Sequence, residues 1–249
     1  MPPERRLRRG IYLLPTLFTV GNLFCGFASQ IQTSHGRWAE AALLIMVAGL
    51  LDGLDGRIAR LTGSTSEFGV EFDSLADLVS FGMAPAFLAY HWALVPLERR
   101  GWVVAFLFVA CAATRLARFN IQKGSVDRRF FVGLASPAAA GVIATTAFAF
   151  PDRAEDPLVA VPAAAVVVAL ALLMVSTIRY RSFKEIDLAR RRPYRAVLVF
   201  AAVLVGLFQE PGYTLLAMAG VYAASGPAAY ALGVLRRGRE RVAAGEGLR

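Results

Sequence analysis

Asp52-Gly53-Leu54-Asp55-Gly56-Arg57-Ile58-Ala59-Arg60, followed after the segment 61–68 by Gly69-x-x-x-Asp73-x-x-x-Asp77, is the stretch on which the reading of this chain turns. Asp52 and Asp55 close one hydrophobic segment, and Asp73 and Asp77 open the next. A carboxylate next to hydrocarbon is costly, so four of them at helical spacing are read as functional. On a helix advancing about 100° per residue, Asp52, Asp55, Gly56 and Ala59 fall within about 100° of arc. Gly69, Asp73, Ala76, Asp77, Ser80 and Ala84 do the same on the following helix. The connection 61–68 is short, so the two helices are expected to be antiparallel neighbours whose small residues permit close approach. Four carboxylates then converge at the cytoplasmic edge of a membrane.

The membrane follows from composition. The chain has 249 residues, of which 57% are hydrophobic and only 18% charged, and a mean hydropathy of +0.53. Soluble domains average about 45–50% apolar and about 25% charged. Apolar segments recur at 12–32, 38–60, 69–95, 101–120, 136–150, 157–178, 195–209 and 212–235. A helix needs about 20 residues to cross a hydrocarbon layer of about 30 Å. The expectation is an all-α, polytopic membrane bundle of about eight transmembrane helices, with 136–150 and 195–209 the shortest spans.

Charge distribution sets the orientation. If the N-terminal arm 1–11, with Arg5, Arg6, Arg8 and Arg9, is cytoplasmic, eight spans place all but four of the 27 Lys/Arg on that side, the exceptions being Arg37, Arg99, Arg100 and Arg153. That asymmetry is the positive-inside pattern. The net charge of +9 therefore reads as topology and anionic-lipid binding, through runs such as Arg190-Arg191-Arg192 and Arg236-Arg237-x-Arg239, and no nucleic-acid partner is expected. The basic start followed by apolar residues mimics a signal peptide, but the apolar run is too long and more spans follow, so it is read as a retained first helix. Cys25 and Cys111 lie inside apolar segments and imply neither a disulfide nor a cysteine metal site. No linker-like break appears; 1–249 is read as one membrane domain with a polar C-terminal tail at 236–249.

The carboxylates ask for cations, because like charges sharing a site repel. With no His or Cys nearby, Mg²⁺ or Mn²⁺ is favoured over zinc. Two such ions about 3.5–4 Å apart can clamp a pyrophosphate, which makes metal-dependent phosphoryl transfer the chemistry that fits the ligands. Gly56 and Gly69 allow a nucleotide or phosphate to lie against the backbone. Arg60 can neutralise a phosphate or serve as a boundary arginine, and Ser66 can donate a hydrogen bond to one.

Asp-x-x-Asp-Gly-x-x-Ala-Arg-x8-Gly-x3-Asp-x3-Asp resembles the signature of the CDP-alcohol phosphatidyltransferases, with every defining position present. Further segments are similar to the integral-membrane phosphatidylserine synthases of that family. They are Thr19-Val-Gly-Asn22-Leu-Phe-Cys25-Gly26-Phe, Asp73-Ser-Leu-Ala-Asp77-Leu-Val-Ser80-Phe-Gly82-Met-Ala-Pro85-Ala, Arg115-Leu-Ala-Arg118-Phe-Asn120, Gly133-Leu-Ala-Ser136-Pro137 and Ser176-Thr-Ile-Arg179-Tyr-Arg181-Ser-Phe-Lys184. The resemblance runs from about 12 to about 195. It departs from the family at Pro15-Thr16, where Pro-Asn is frequent, and at Ala135, where the branch often has proline. It implies a six-helix core, transfer of a phosphatidyl group from CDP-diacylglycerol to L-serine with release of CMP, and a homodimer in a bacterial inner membrane. It further implies that Asp52, Asp55 and Asp73 hold one metal and Asp52, Asp73 and Asp77 a second. Gly56, Arg60 and Ser66 would contact the CDP-lipid, and Asp77 would take the proton of the attacking hydroxyl.

Serine's carboxylate calls for a guanidinium. Arg115 and Arg118, at the cytoplasmic end of the fourth helix with Asn120 nearby, are the candidates; equally, both arginines can be positive-inside anchors. Pro85 is expected to break the third helix. His91, on the far side from the aspartates, is read as structural or interfacial. Two alternatives stay open: another acceptor such as glycerol 3-phosphate or inositol, and a divalent-cation transporter using the carboxylates as its pathway.

Overall fold

The computed structural model describes residues 4–62, 66–122, 130–181 and 193–243. Eight helical rods among these residues occupy the eight apolar segments: α1 Glu4–Ser34, α2 Trp38–Thr62, α3 Glu67–Leu97, α4 Arg99–Gln122, α5 Ser136–Ala149, α6 Pro157–Val175, α7 Pro193–Gln209 and α8 Pro211–Ala243. By length and composition, α3, α4, α6 and the Pro211–Gly233 part of α8 suffice to cross a membrane; α5 and Val197–Gln209 are apolar but shorter. The first two helices are less apolar for a physical reason. α1 buries Thr19, Asn22, Ser29 and Thr33, and α2 carries Glu40, Asp52 and Asp55. The run Arg190–Arg192 and the tail beyond Ala243 lie outside the described residues.

α3 is the central rod, with 61% of its apolar window buried against 28% for α4 and α6 and 11% for α8. It joins two cores. On one side Phe81, Ala84 and Leu88 pack with Cys25 of α1, Ala41, Ile45 and Ala48 of α2, and Ala140 and Ala144 of α5. On the other, Ala86, Ala89 and Leu94 pack with Phe108 and Cys111 of α4, Ile143 of α5 and Leu170 of α6. Both cysteines are free and buried, as their apolar setting implied. Outward faces of α7 and α8 expose Leu198, Phe200, Phe208 and Val221, which suits a lipid contact.

The proline at 85 does not break α3. Leu78–Met83 forms a π turn in which the Ala84 N–H bonds to the Val79 carbonyl, and regular α-helix resumes with Pro85 in its first turn. A missing N–H is harmless in a first turn, so the wider turn absorbs the proline without ending the rod. The turn starts directly after Asp77. α1 presses on it: Ser80 Oγ donates to the Asn22 carbonyl at 2.9 Å. Gly26 faces Ser80 so closely that a Cβ there would stand 2.7 Å from the Ser80 Cα.

One feature was not expected from the sequence. Within the polar stretches, strands β1 (Phe130–Val132) and β2 (Arg179–Arg181) pair antiparallel, with Phe131 opposite Tyr180. Gly133, at a φ of +83°, turns the chain out of β1, and its N–H donates to the Ile178 carbonyl at 2.8 Å. His91 is packed between Phe87 and Tyr90, at ring separations of 4.4 and 5.1 Å, the structural role assigned to it.

Candidate active site

Asp52 and Asp55, one turn apart on α2, meet Asp73 of α3, and one carboxylate oxygen from each lies within 4.8 Å of the others. Asp77, the next turn of α3, is close enough to sense the charges of Asp52, Asp73 and Asp55. Two of the four are oriented from α1. Thr19 Oγ1 donates to Asp55 Oδ2 at 3.1 Å, and Asn22 Nδ2 donates to Asp77 Oδ1 at 3.1 Å. Asp55 is only 4% exposed and Asn22 fully buried. A buried carboxylate held by a neutral donor keeps a fixed direction.

The donor set is all oxygen, drawn from three closely converging carboxylates, one of them buried. That set fits a hard divalent cation: oxygen ligands at this density suit Mg²⁺ or Mn²⁺ and leave softer metals without a partner.

On the other side of the cluster lies Arg115 of α4, whose guanidinium is within electrostatic reach of Asp77 and Asp52. Its Nη1 donates to Ser136 Oγ, at the start of α5, at 3.0 Å, while its Nε is buried and makes no hydrogen bond among the described residues. Arg118, one turn on, makes neither a hydrogen bond nor an ion pair among the described residues, so the two arginines expected to act together are separated by their surroundings. Asn120 Nδ2 donates to Ser74 Oγ at 2.9 Å, tying α4 to α3 beside Asp73, and its Oδ1 is buried without a hydrogen bond.

Ser66 caps α3: its Oγ accepts the Gly69 N–H at 3.0 Å. The hydroxyl proton stays available, because a hydroxyl accepts and donates at once. Gly56 lies on α2 next to Asp55, on the carboxylate face. Arg60 belongs to α2, but its side chain lies outside the described residues.

Thr19, Asn22, Ser80 and Ser136 had no contact assigned from the sequence. A signal for the first two exists. Thr19, Asn22, Gly26, Ser29 and Thr33 recur at intervals of three and four along α1, and all five are buried. A stripe of polar and small residues on an otherwise apolar helix marks the face that meets other polar groups.

Comparison with known proteins follows the same residues. A family model described as CDP-alcohol phosphatidyltransferase matches residues 12–176, the whole aspartate motif included. A CDP-diacylglycerol–serine O-phosphatidyltransferase of Helicobacter pylori is 38% identical over 217 residues, covering 85% of this chain and 88% of the relative. One from Bacillus subtilis is 33% identical, covering 69% and 92%. An archaetidylserine synthase of Methanothermobacter thermautotrophicus is 36% identical, covering 67% and 69%.

Proposed function

The chain belongs to the CDP-alcohol phosphatidyltransferase family, and on that premise we propose that it transfers the phosphatidyl group of CDP-diacylglycerol to the hydroxyl of L-serine, releasing CMP. It is an integral membrane transferase of phospholipid synthesis. The observation that carries the serine reading is the half-buried Arg115, whose Nε is buried without a hydrogen bond among the described residues and whose charge is within reach of the carboxylate cluster, a partner for an acceptor carboxylate. A phosphate-bearing acceptor would need more positive charge than this single guanidinium. The family match leaves the ion-pathway alternative without support.

Asp52, Asp55, Asp73 and Asp77 would hold the divalent ions, Mg²⁺ or Mn²⁺ and two in number. When bound, the ions would neutralise the carboxylates and the charge on the phosphoryl oxygens. Gly56 leaves room for the CDP head against the helix, Arg60 balances its charge, and the Ser66 hydroxyl donates to a phosphate oxygen. Arg115 orients the serine carboxylate; Arg118 and Asn120 line the same end of α4, Asn120 offering its Oδ1 to the serine ammonium. Asn22 occupies one oxygen of Asp77, leaving the other to take the serine proton. As that proton leaves, the serine oxygen forms a bond to the lipid phosphorus, and the bond from phosphorus to the CMP oxygen breaks. The charge asymmetry supports a cytoplasmic active site, and the bacterial origin of the relatives supports an inner membrane as its setting.

Purified protein in detergent with CDP-diacylglycerol, Mg²⁺ or Mn²⁺ and labelled serine is expected to release CMP and place label in lipid, both lost on chelation. Metal-dependent CMP release without label would replace serine by another acceptor; no CMP release with any acceptor would sink the enzymatic reading. Arg115→Ala is expected to raise the KM for serine about 10- to 100-fold, the effect of losing hydrogen bonds to a charged group, with the KM for the CDP-lipid unmoved. Equal changes in both would remove Arg115 from the serine site.

A further inference from the structure

Asp55 is held from a helix that carries none of the four aspartates. Thr19 of α1 donates its hydroxyl to Asp55 Oδ2 at 3.1 Å, and the two residues are only 5% and 4% exposed. α1 is pinned to both neighbours at this level. Gly21 lets Leu51 of α2 come so near that a Cβ would stand 3.2 Å from the Leu51 Cδ1. Asn22, about one turn beyond Thr19, is bonded to α3 twice, to Asp77 through its side chain and to Ser80 through its carbonyl. Further along, Ser29 Oγ donates to the Ala41 carbonyl of α2 at 2.9 Å. The Thr19 hydroxyl is therefore presented to Asp55 by a helix that can neither slide nor turn freely.

What that contact does follows from the chemistry of Asp55. A carboxylate that serves a hard cation must aim an oxygen at it, yet the torsion that turns an aspartate carboxylate is broad. An oxygen of Asp55 lies within 4.8 Å of one from Asp52 and one from Asp73, so the plane of Asp55 decides whether three ligands face a common point. A bond to Oδ2 sets that plane. Thr19 sets it without a charge: a lysine or arginine would compete with the cation, whereas a neutral hydroxyl leaves the negative charge to the metal. Packing does not account for the hydroxyl, since valine would fill nearly the same volume without burying a polar group.

We infer that Thr19 is a positioning residue of the metal centre: its hydroxyl fixes the carboxylate plane of Asp55 and thereby the affinity of the site for its divalent cation. This rests on the reading of Asp55 as a metal ligand, which Asp55→Asn tests separately. Thr19→Val removes the hydroxyl at nearly constant volume, Thr19→Ser keeps it, and Thr33→Val is the control. Thr33 belongs to the same stripe of α1, is 1% exposed, and its Oγ1 makes no hydrogen bond among the described residues. It stands about 21 Å further along the helix. Each purified variant is titrated with Mn²⁺ in detergent without substrate, free Mn²⁺ being read from its electron paramagnetic resonance signal, and is melted in the presence of chelator.

Thr19→Val is expected to weaken Mn²⁺ binding about tenfold, the lower end of what losing a hydrogen-bonding neighbour of a metal ligand costs. CMP release should then need about tenfold more Mn²⁺ for half its maximal rate, with the KM for serine unmoved. Thr19→Ser and Thr33→Val should stay within about twofold of the parent in Mn²⁺ affinity, and all three should melt with it in chelator. If Thr19→Val also stays within about twofold while Asp55→Asn loses Mn²⁺, the proposal falls and Asp55 keeps its role. If Thr33→Val weakens binding as much, if Thr19→Ser fails to preserve it, or if Thr19→Val melts well below the parent in chelator, Thr19 is only helix packing, and the proposal falls too. If Asp55→Asn binds Mn²⁺ as the parent does, the underlying reading fails along with it.

Discussion

Asp77→Asn is expected to lower metal-dependent CMP release at saturating serine by about 10²–10⁴-fold, the range that a positioned general base contributes. The argument starts from Asn22. Its Nδ2 holds Asp77 Oδ1 at 3.1 Å, and an asparagine at 77 can still accept that bond through its own Oδ1. The substitution is nearly isosteric, so the loss would be one of chemistry. A charge is also removed from a cluster in which Asp77 opposes Asp52, Asp73 and Asp55. With chelator present the variant should therefore melt at or above the parent temperature. Retention of more than about a tenth of parental CMP release would exclude Asp77 as the base. A melting point well below the parent would instead show that the carboxylate has a structural task.

Gly26→Val should damage fold and activity together. The added Cβ alone would lie 2.7 Å from the Ser80 Cα and 3.0 Å from its Cβ. Backbone cannot rotate aside as a side chain can, so α1 must move away from the π turn of α3. Overpacking of this kind costs about 1–3 kcal/mol. The shift would also strain the Ser80–Asn22 bond and, through Asn22, the hold on Asp77. A melting temperature lowered by several degrees and CMP release lowered at least about tenfold are expected. Gly141→Ala, a helical glycine with open space around its Cα, is the control and should change neither. Unaltered activity in the valine variant would mean that the α1–α3 contact does not position the base.

The bundle was legible because hydrocarbon forces long apolar runs, and their eight positions correspond to the eight rods. The aspartate faces were legible because helical spacing is local arithmetic: Asp52 with Asp55, and Asp73 with Asp77, share faces whatever surrounds them. What could not be read is what those faces meet. Thr19 reaches Asp55 across 36 positions, and Ser80 reaches Asn22 across 58; no periodicity encodes a partner at that distance. The same limit separated Arg115 from Arg118, identical in local setting, because only Arg115 finds Ser136. Pro85 misled for another reason. Helix termination is the common response to a proline, and the π turn that accommodates it leaves no mark in residue type. The β1–β2 pairing of two three-residue strands was hidden among polar connections too short to show alternation.

That π turn is a reserve of chain length inside the rod. It holds one residue more than an α turn over nearly the same rotation, so Asp73 and Asp77 above it and Leu88 below it keep the facing they would have in a straight α-helix one residue shorter. Deleting one residue from 78–83 would let the turn close into ordinary α-helix, the more stable form, with Leu88 still in its core and the carboxylates still facing α2. Inserting one instead finds no slack in the turn and would swing the lower half of α3 by about 100° about its axis. The helix thus tolerates shortening at this turn and not lengthening.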